Sequence, residues 1–424
     1  MKKTLLLCCM VAFSAQAQKT MLHCGQIYHP HEGKWASKQT IVVEKNRILR
    51  VESGFSKPSA GDLVIDLSNQ TVLPGLIDMH VHIESETSKD QYIKRMSQTT
   101  ADIAFEAQKH ALTTLMAGFT TVRDLGGTGV NIALRNAINK GLVSGPRIFT
   151  SGKTIATTGG HGDPTNGWRA DIKLPDGTDD GVVNSAEEGR RAVRQRYQDG
   201  VDQIKITATG GVLSIAKSGK GPQFTESELD GVIQTANDYG YHVAAHAHGA
   251  EGMKRALRAG VRTIEHGTFL DDEAIALFKS QKAYLVPTII AGKTVADSAK
   301  IKGYYHPMIV PKAIETGALI QEAFAKAYKA GVNIAFGTDA GVFPHGYNAK
   351  EFQYMHEAGM PMAEALKIAT VVNASILGMD QELGSIDVGK LADIIAVSGN
   401  PVEDPRVLMK TTFVMKDGQV YKKP

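Results

Sequence analysis

The chain has 424 residues, 42% hydrophobic and 21% charged, a globular composition that excludes a disordered protein. Glycine contributes 43 residues, about 10% against a usual ~7%, which points to many tight connections. A formal net charge of +3 without a long basic run gives no basis for electrostatically driven nucleic-acid binding, so no nucleic-acid partner is expected.

Met1–Ala17 (MKKTLLLCCMVAFSAQA) places two lysines before an apolar run from Leu5 to Phe13 and an A-x-A site at Ala15–Ala17. This is the pattern of a secretory signal peptide, too short to span a membrane. Cleavage there leaves Gln18 as the first residue and Cys24 as the single cysteine, so no intrachain disulfide is expected. The expectation is an exported protein, periplasmic or secreted, with no membrane span in the mature chain.

From Gln18 to about Thr71 the segments are short and strand-like, with a turn at Lys45–Asn46 between two apolar runs and another strand at Asp62–Leu67. From Val72 eight short apolar runs alternate with amphipathic stretches. They end at His82 and lie near Thr120, Arg147, Gln203, Tyr241, Thr263, Ala283 and Asn333. Helices are expected over Ser185–Gly200, Thr225–Gly240 and Gly249–Gly260; the second opens on a Thr225/Glu228 capping box. Eight strand–helix units predict an α/β fold, a (β/α)8 TIM barrel, with a doubly wound open sheet as the alternative. After about Asn373 short strands return, with a hairpin turn at Lys416–Gln419. The expected organisation is a leader over 1–17, a barrel over 72–372, and a small β-sandwich domain composed of 18–71 plus 373–424.

In a barrel the strands' C-terminal ends carry the chemistry. His80 and His82 end the first run and share a strand face, about 7 Å apart, close enough to converge on one metal. His246 ends the fifth run, His266 the sixth and Asp339 the eighth, while Lys205 lies in the fourth. Each alone reads equally as a core histidine, a helix cap or a snorkelling lysine. Together they converge on one mouth. A lysine beside a dication is repelled and desolvated, which favours its neutral amine. That amine can add carbon dioxide and become a bridging carbamate, so Lys205 points to a two-metal centre. His242 reads as a packed barrel histidine and Glu265 as facing away from His266 in a structural role. Arg123 reads as an ion-pair partner of Asp124 or another loop, and Glu84 and Glu86 as loop charges or attractants for a basic side chain.

The chain resembles the amidohydrolase superfamily, through VLPGLIDMHVH (Val72–His82), IKITATGG (Ile204–Gly211), AAHAHG (Ala244–Gly249), TIEHG (Thr263–Gly267), GTDAG (Gly337–Gly341) and GSIDVGKLADIIAV (Gly384–Val397). TTVRDLGG (Thr120–Gly127) and TGGHGDP (Thr158–Pro164) make it most similar to the binuclear group of Xaa-Pro dipeptidases, Xaa-Arg/Lys carboxypeptidases and ochratoxin-hydrolysing amidases. The resemblance implies two divalent ions per chain, zinc first. His80, His82 and Asp339 would hold one and His246 and His266 the other, with N6-carboxylated Lys205 and a hydroxide bridging them. His161 and His248 would contact substrate, and Asp339 with His161 would be catalytic. The implied activity is cleavage of dipeptides or N-acyl amino acids to release a C-terminal amino acid, Xaa-Pro substrates first, by an enzyme expected to be a homo-oligomer. A lactonase or phosphotriesterase would share this centre. A periplasmic solute-binding protein is the reading from another class, and it gives no reason for the metal-type residues.

Overall fold

The computed structural model describes residues 18–169, 171–172 and 177–424; the expected leader, Met1–Ala17, lies outside them. Four strands open the described chain: β1 (Lys19–His29), β2 (Lys34–Glu44), β3 (Arg47–Ser53) and β4 (Leu63–Pro74). The expected turn joins β2 to β3, with Lys45 at φ 55°. Eight strands follow: β5 (Leu76–Val81), β6 (Phe119–Asp124), β7 (Arg147–Thr150), β8 (Ile204–Thr207), β9 (Val243–Gly249), β10 (Thr263–Phe269), β11 (Tyr284–Val286) and β12 (Asn333–Ile334). Each is followed by at least one α-helix. The chain ends with β13 (Ile394–Val397), β14 (Thr411–Lys416) and β15 (Gln419–Lys422).

The two chain ends meet in one seven-stranded sheet, ordered β15-β14-β13-β4-β1-β2-β3. Its centre is β4, parallel to β1 on one side and antiparallel to β13 on the other. Leu22, Cys24, Ile41, Leu67 and Val72 from the first segment bury with Ile394 and Phe413 from the last. Neither segment covers these side chains alone, so the apolar burial couples them. The hairpin joining β14 to β15 has Asp417 at φ 49° and Gly418 at φ 73°, the positive angles of a type I′ turn.

The eight middle strands form two parallel sheets, β5-β6-β7 and β8 through β12, in sequence order. Single parallel bridges tie their edges: Val81 to Ala340, just past β12, and Ile206 to Ile155, just past β7. β5, β6, β8 and β9 are buried along their whole length, which is why they read as runs rather than alternations. The helices follow their caps. Ser185 caps Ala186–Asp199, and the Thr225/Glu228 box opens Glu226–Asp238. Gly200 and Gly260 end their helices in the left-handed conformation that glycine adopts without strain. β4 passes directly into β5 through Gly75, where a Cβ would collide with the Thr120 side chain.

Candidate metal centre

β5 carries His80 and leads directly into His82, and their ring centroids lie 5.3 Å apart. The turn after β12 brings Asp339 to them: His80 Nε2 and His82 Nε2 each stand 3.3 Å from Asp339 Oδ1. Backbone bonds fix that approach, since Asp339 N donates to His80 O at 2.7 Å and His82 N to Ala340 O at 2.7 Å. Asp78 reinforces it, accepting from His80 N and Thr338 N, both at 3.0 Å. Asp339 adopts φ 63°, a left-handed conformation that costs a non-glycine residue energy and is typical of functional positions.

Facing this trio, β9 supplies His246 and His248, and β10 supplies His266. His246 and His266 rings lie 4.6 Å apart, and His248 stacks on His266 at 4.8 Å and 16°. Donor atoms of His246, His248 and His266 lie within 4.8 Å of one another, as do those of His80, His266 and Asp339. His266 is therefore common to both groups. Hydroxyls orient the rings from behind: Thr288 Oγ1 is 2.7 Å from His266 Nδ1, and Thr268 Oγ1 is 2.9 Å from His248 Nδ1.

One sequence expectation is corrected here. Strict alternation along β10 would turn Glu265 away from His266. Instead His266 takes φ 75°, which breaks the alternation and lets both residues face the centre. Glu265 is fully buried, with Oε2 2.8 Å from His80 Nδ1 and Oε1 accepting from Arg123 Nη2 at 2.9 Å. Arg123 is thus a structural ion-pair residue, but its partner is Glu265 rather than Asp124. It also donates to Met79 O at 2.6 Å.

Lys205 is buried, and among the described residues no carboxylate comes within ion-pair distance of it. Burial lowers its pKa, while Glu265 and Asp339 pull the other way. The same burial raises that of Asp339. Burial holds His80, His246 and His266 well below the usual imidazole range, and brings His82 down to about 4, with the Lys205 charge adding to each. Neutral imidazoles are the metal-binding form. With the rings neutral, the 3.3 Å approaches bring lone pairs together, and buried Asp339 Oδ1 has no hydrogen-bond partner. Such a buried, unsatisfied acceptor among imidazole nitrogens fits a cation.

His161 lies on the loop after β7, its ring centroid 4.3 Å from that of His246 and its Nδ1 in hydrogen-bond contact with Ser214 Oγ. Burial, then the His248 and Lys205 charges, bring it down to about 3. Gly211 packs flat against it: a Cβ there would strike the imidazole. Burial and then the Lys312 charge bring His248 to about 3. All eight residues singled out in the sequence, His80, His82, His161, Lys205, His246, His248, His266 and Asp339, therefore gather in one region. Sequence reasoning missed Ser214, Thr268, Thr288 and Lys312, whose types and spacings carry no metal signature. Other expectations change. His242 is exposed and precedes β9 rather than packing inside. Glu84 is buried and accepts from Thr128 N and Asn131 N, both at 2.7 Å, tethering the start of the helix Val130–Asn139. Glu86 accepts from His345 N at 2.8 Å. Neither is a free loop charge.

Parallel strand–helix units ending in this donor set mark a metal-dependent hydrolase acting on amide bonds. The chain belongs to the amidohydrolase family, whose description matches residues 71–422. An ochratoxinase from Aspergillus niger is 30% identical over 440 residues, covering 98% of this chain and 89% of that protein. A crystal structure of a Xaa-Pro dipeptidase with methionine bound in its active site has TM-score 0.92 and 51% identity, covering 96% of this chain and all of the other. A prolidase complexed with N-methylphosphonate-L-proline has TM-score 0.87 and 32% identity, covering 96% of this chain and 100% of that one. Among the described residues no helix is long and apolar enough to cross a membrane.

Proposed function

We propose that this enzyme removes a C-terminal amino acid from dipeptides or N-acyl amino acids, Xaa-Pro dipeptides first. The observation that carries the reading is the gathering of His80, His82, Lys205, His246, His266 and Asp339 around a buried acceptor that lacks a donor. Similarity to a Xaa-Pro dipeptidase and to a prolidase complexed with N-methylphosphonate-L-proline supports the substrate class, and similarity to an ochratoxinase supports amide hydrolysis. The proposal includes a closed (β/α)8 barrel over 72–372, supported by the bridges at both sheet edges. It also includes a β-sandwich formed as the seven-stranded sheet of 18–71 and 373–424 curls over its own core. Export after cleavage near Ala17 and homo-oligomerisation complete it; exposed Ile93, Met96 and Phe105 favour the latter.

Two divalent ions, zinc first, would be held by His80, His82, His246, His266 and Asp339, with Lys205 as a carbamate completing the set. When bound they supply Lewis acidity that activates a water and polarises a carbonyl. The chain supplies the rest. Asp339 accepts the proton of the attacking water and delivers it to the leaving nitrogen. His161, held through Nδ1 by Ser214, presents its other nitrogen to the developing oxyanion. His248, held through Nδ1 by Thr268, faces the C-terminal residue. The test is metal analysis of gently purified full-length protein, with hydrolysis of a dipeptide library measured with and without chelator. Two ions per chain and chelator-sensitive release of proline are expected. Protein that binds no metal and cleaves no amide substrate would overturn the reading.

A further inference from the structure

Lys312 lies in the first turn of the helix Val310–Lys329, an end of a helix dipole that disfavours a cation. It is only 9% exposed. Its Nζ donates to Ser214 O at 2.7 Å and Gly211 O at 3.1 Å, both neutral carbonyls. No carboxylate among the described residues lies within ion-pair distance of it. The acid one turn further along its helix, Glu315, is occupied by Lys220 at 2.5 Å. Burial, a repulsive dipole and the lack of a counter-ion among the described residues all work against a charged lysine here, and two carbonyls do not offset them.

Its position gives that cost a purpose. The two residues it binds are the ones that hold His161: Ser214 through its hydroxyl and Gly211 through its flat backbone. The His161 ring in turn lies 4.3 Å from His246. Lys312 is thus one residue removed from the metal-type cluster, and its charge bears on both His161 and His248. An ammonium has three donors, and two are used. Val212 and Tyr305, with Val342 packed against them, belong to a buried apolar cluster that includes Ala313, the next residue along the helix.

We propose that Lys312 binds the free carboxylate of the substrate's C-terminal residue. The proposal rests on the hydrolase reading above and names the group that recognises the carboxylate in which its substrates end.

The test compares Ala-Pro and Met-Pro with their C-terminal carboxamides on the metal-loaded full chain. The wild-type enzyme is expected to favour the free acids by about 10–100-fold in kcat/KM, the size of one charge-assisted hydrogen bond in a buried site. Lys312→Met is expected to lower kcat/KM for the acids by a similar factor and to bring acid and amide close to parity. Lys312→Arg is expected to restore most of the preference. A wild-type enzyme that treats acid and amide alike overturns the proposal without any variant. So does a folded Lys312→Met protein, with unchanged metal content, that keeps the wild-type preference. If the wild-type chain cleaves no dipeptide or dipeptide amide, the dipeptidase reading itself fails, and Lys312's role falls with it.

Discussion

Glu265 holds His80 from behind: its Oε2 lies 2.8 Å from His80 Nδ1, and both side chains are buried. This contact fixes the ring so that Nε2 points at Asp339, and it assigns the proton to Nδ1. Carboxylates that orient a ligating imidazole in this way commonly set metal affinity. Glu265→Gln keeps the shape but weakens the acceptor. Metal affinity is expected to fall about 10–100-fold, read by competition with a chromophoric chelator. Unchanged affinity would show that His80 is oriented by its other neighbours. Glu265→Ala should also lower stability, by about 3–5 kcal/mol, because Arg123 is left as an uncompensated buried charge.

Asp339 is assigned the proton transfer. Asp339→Asn is expected to fold and to lose about 10²–10⁴-fold in kcat, the usual contribution of a placed acid–base group. Metal content measured on the same sample separates this from loss of a ligand. Near wild-type turnover with metal retained would remove Asp339 from the mechanism.

Gly211 is an inconspicuous control point. Its backbone is not in the left-handed region, so alanine brings no dihedral strain, but the new methyl must push the His161 ring aside. Gly211→Ala is expected to lower kcat by about 10²-fold, the scale of a 1 Å misplacement. The thermal midpoint should change little. A fully active variant would mean that His161 does not contribute in the position seen here.

Glu351 gives a pH dependence away from the metal centre. Its two oxygens accept from Ile289 N at 2.8 Å and Ile290 N at 2.7 Å, where the helix Ile289–Ala299 begins. Burial pushes its carboxyl up to about 8 from an ordinary 4.5. The fold therefore favours the protonated form. The stability this contributes is fully present below about 4.5 and lost as pH rises through about 8. Urea-unfolding free energies across that window should decline with pH in the wild type and decline less in Glu351→Gln. Equal slopes would assign the dependence to other groups.

Much of the centre was legible because its residues stand where regular strands end. His80 in β5 and His82 just past its end keep a two-residue spacing, as do His246 and His248 within β9. Lys205 drew notice because a lysine has no ordinary reason to lie inside a buried run. The errors have equally local causes. Glu265 was misplaced because alternation fails at His266, whose positive φ nothing in TIEHG announces. His242 was extrapolated from the spacing of His246, but β9 starts only at Val243. Lys312 was invisible because its role comes from a helix whose first turn packs against a loop distant in sequence. The pairing of the two chain ends was readable as matching short-strand segments, whereas the strand order was not, since register is set by contacts no single segment contains.

The seven-stranded sheet imposes an order on assembly. β4 has β1 available as soon as the first strands are made, but its other edge waits for Ile394–Val397, which are made only after all the intervening strand–helix units. Until they arrive, a nascent or truncated chain presents a row of open backbone donors and acceptors directly beside the strand that carries His80 and His82. A chain shortened by its last thirty or so residues should therefore be prone to self-association. Ile394–Val397 acts as the clasp that closes a sheet begun at Lys19–His29.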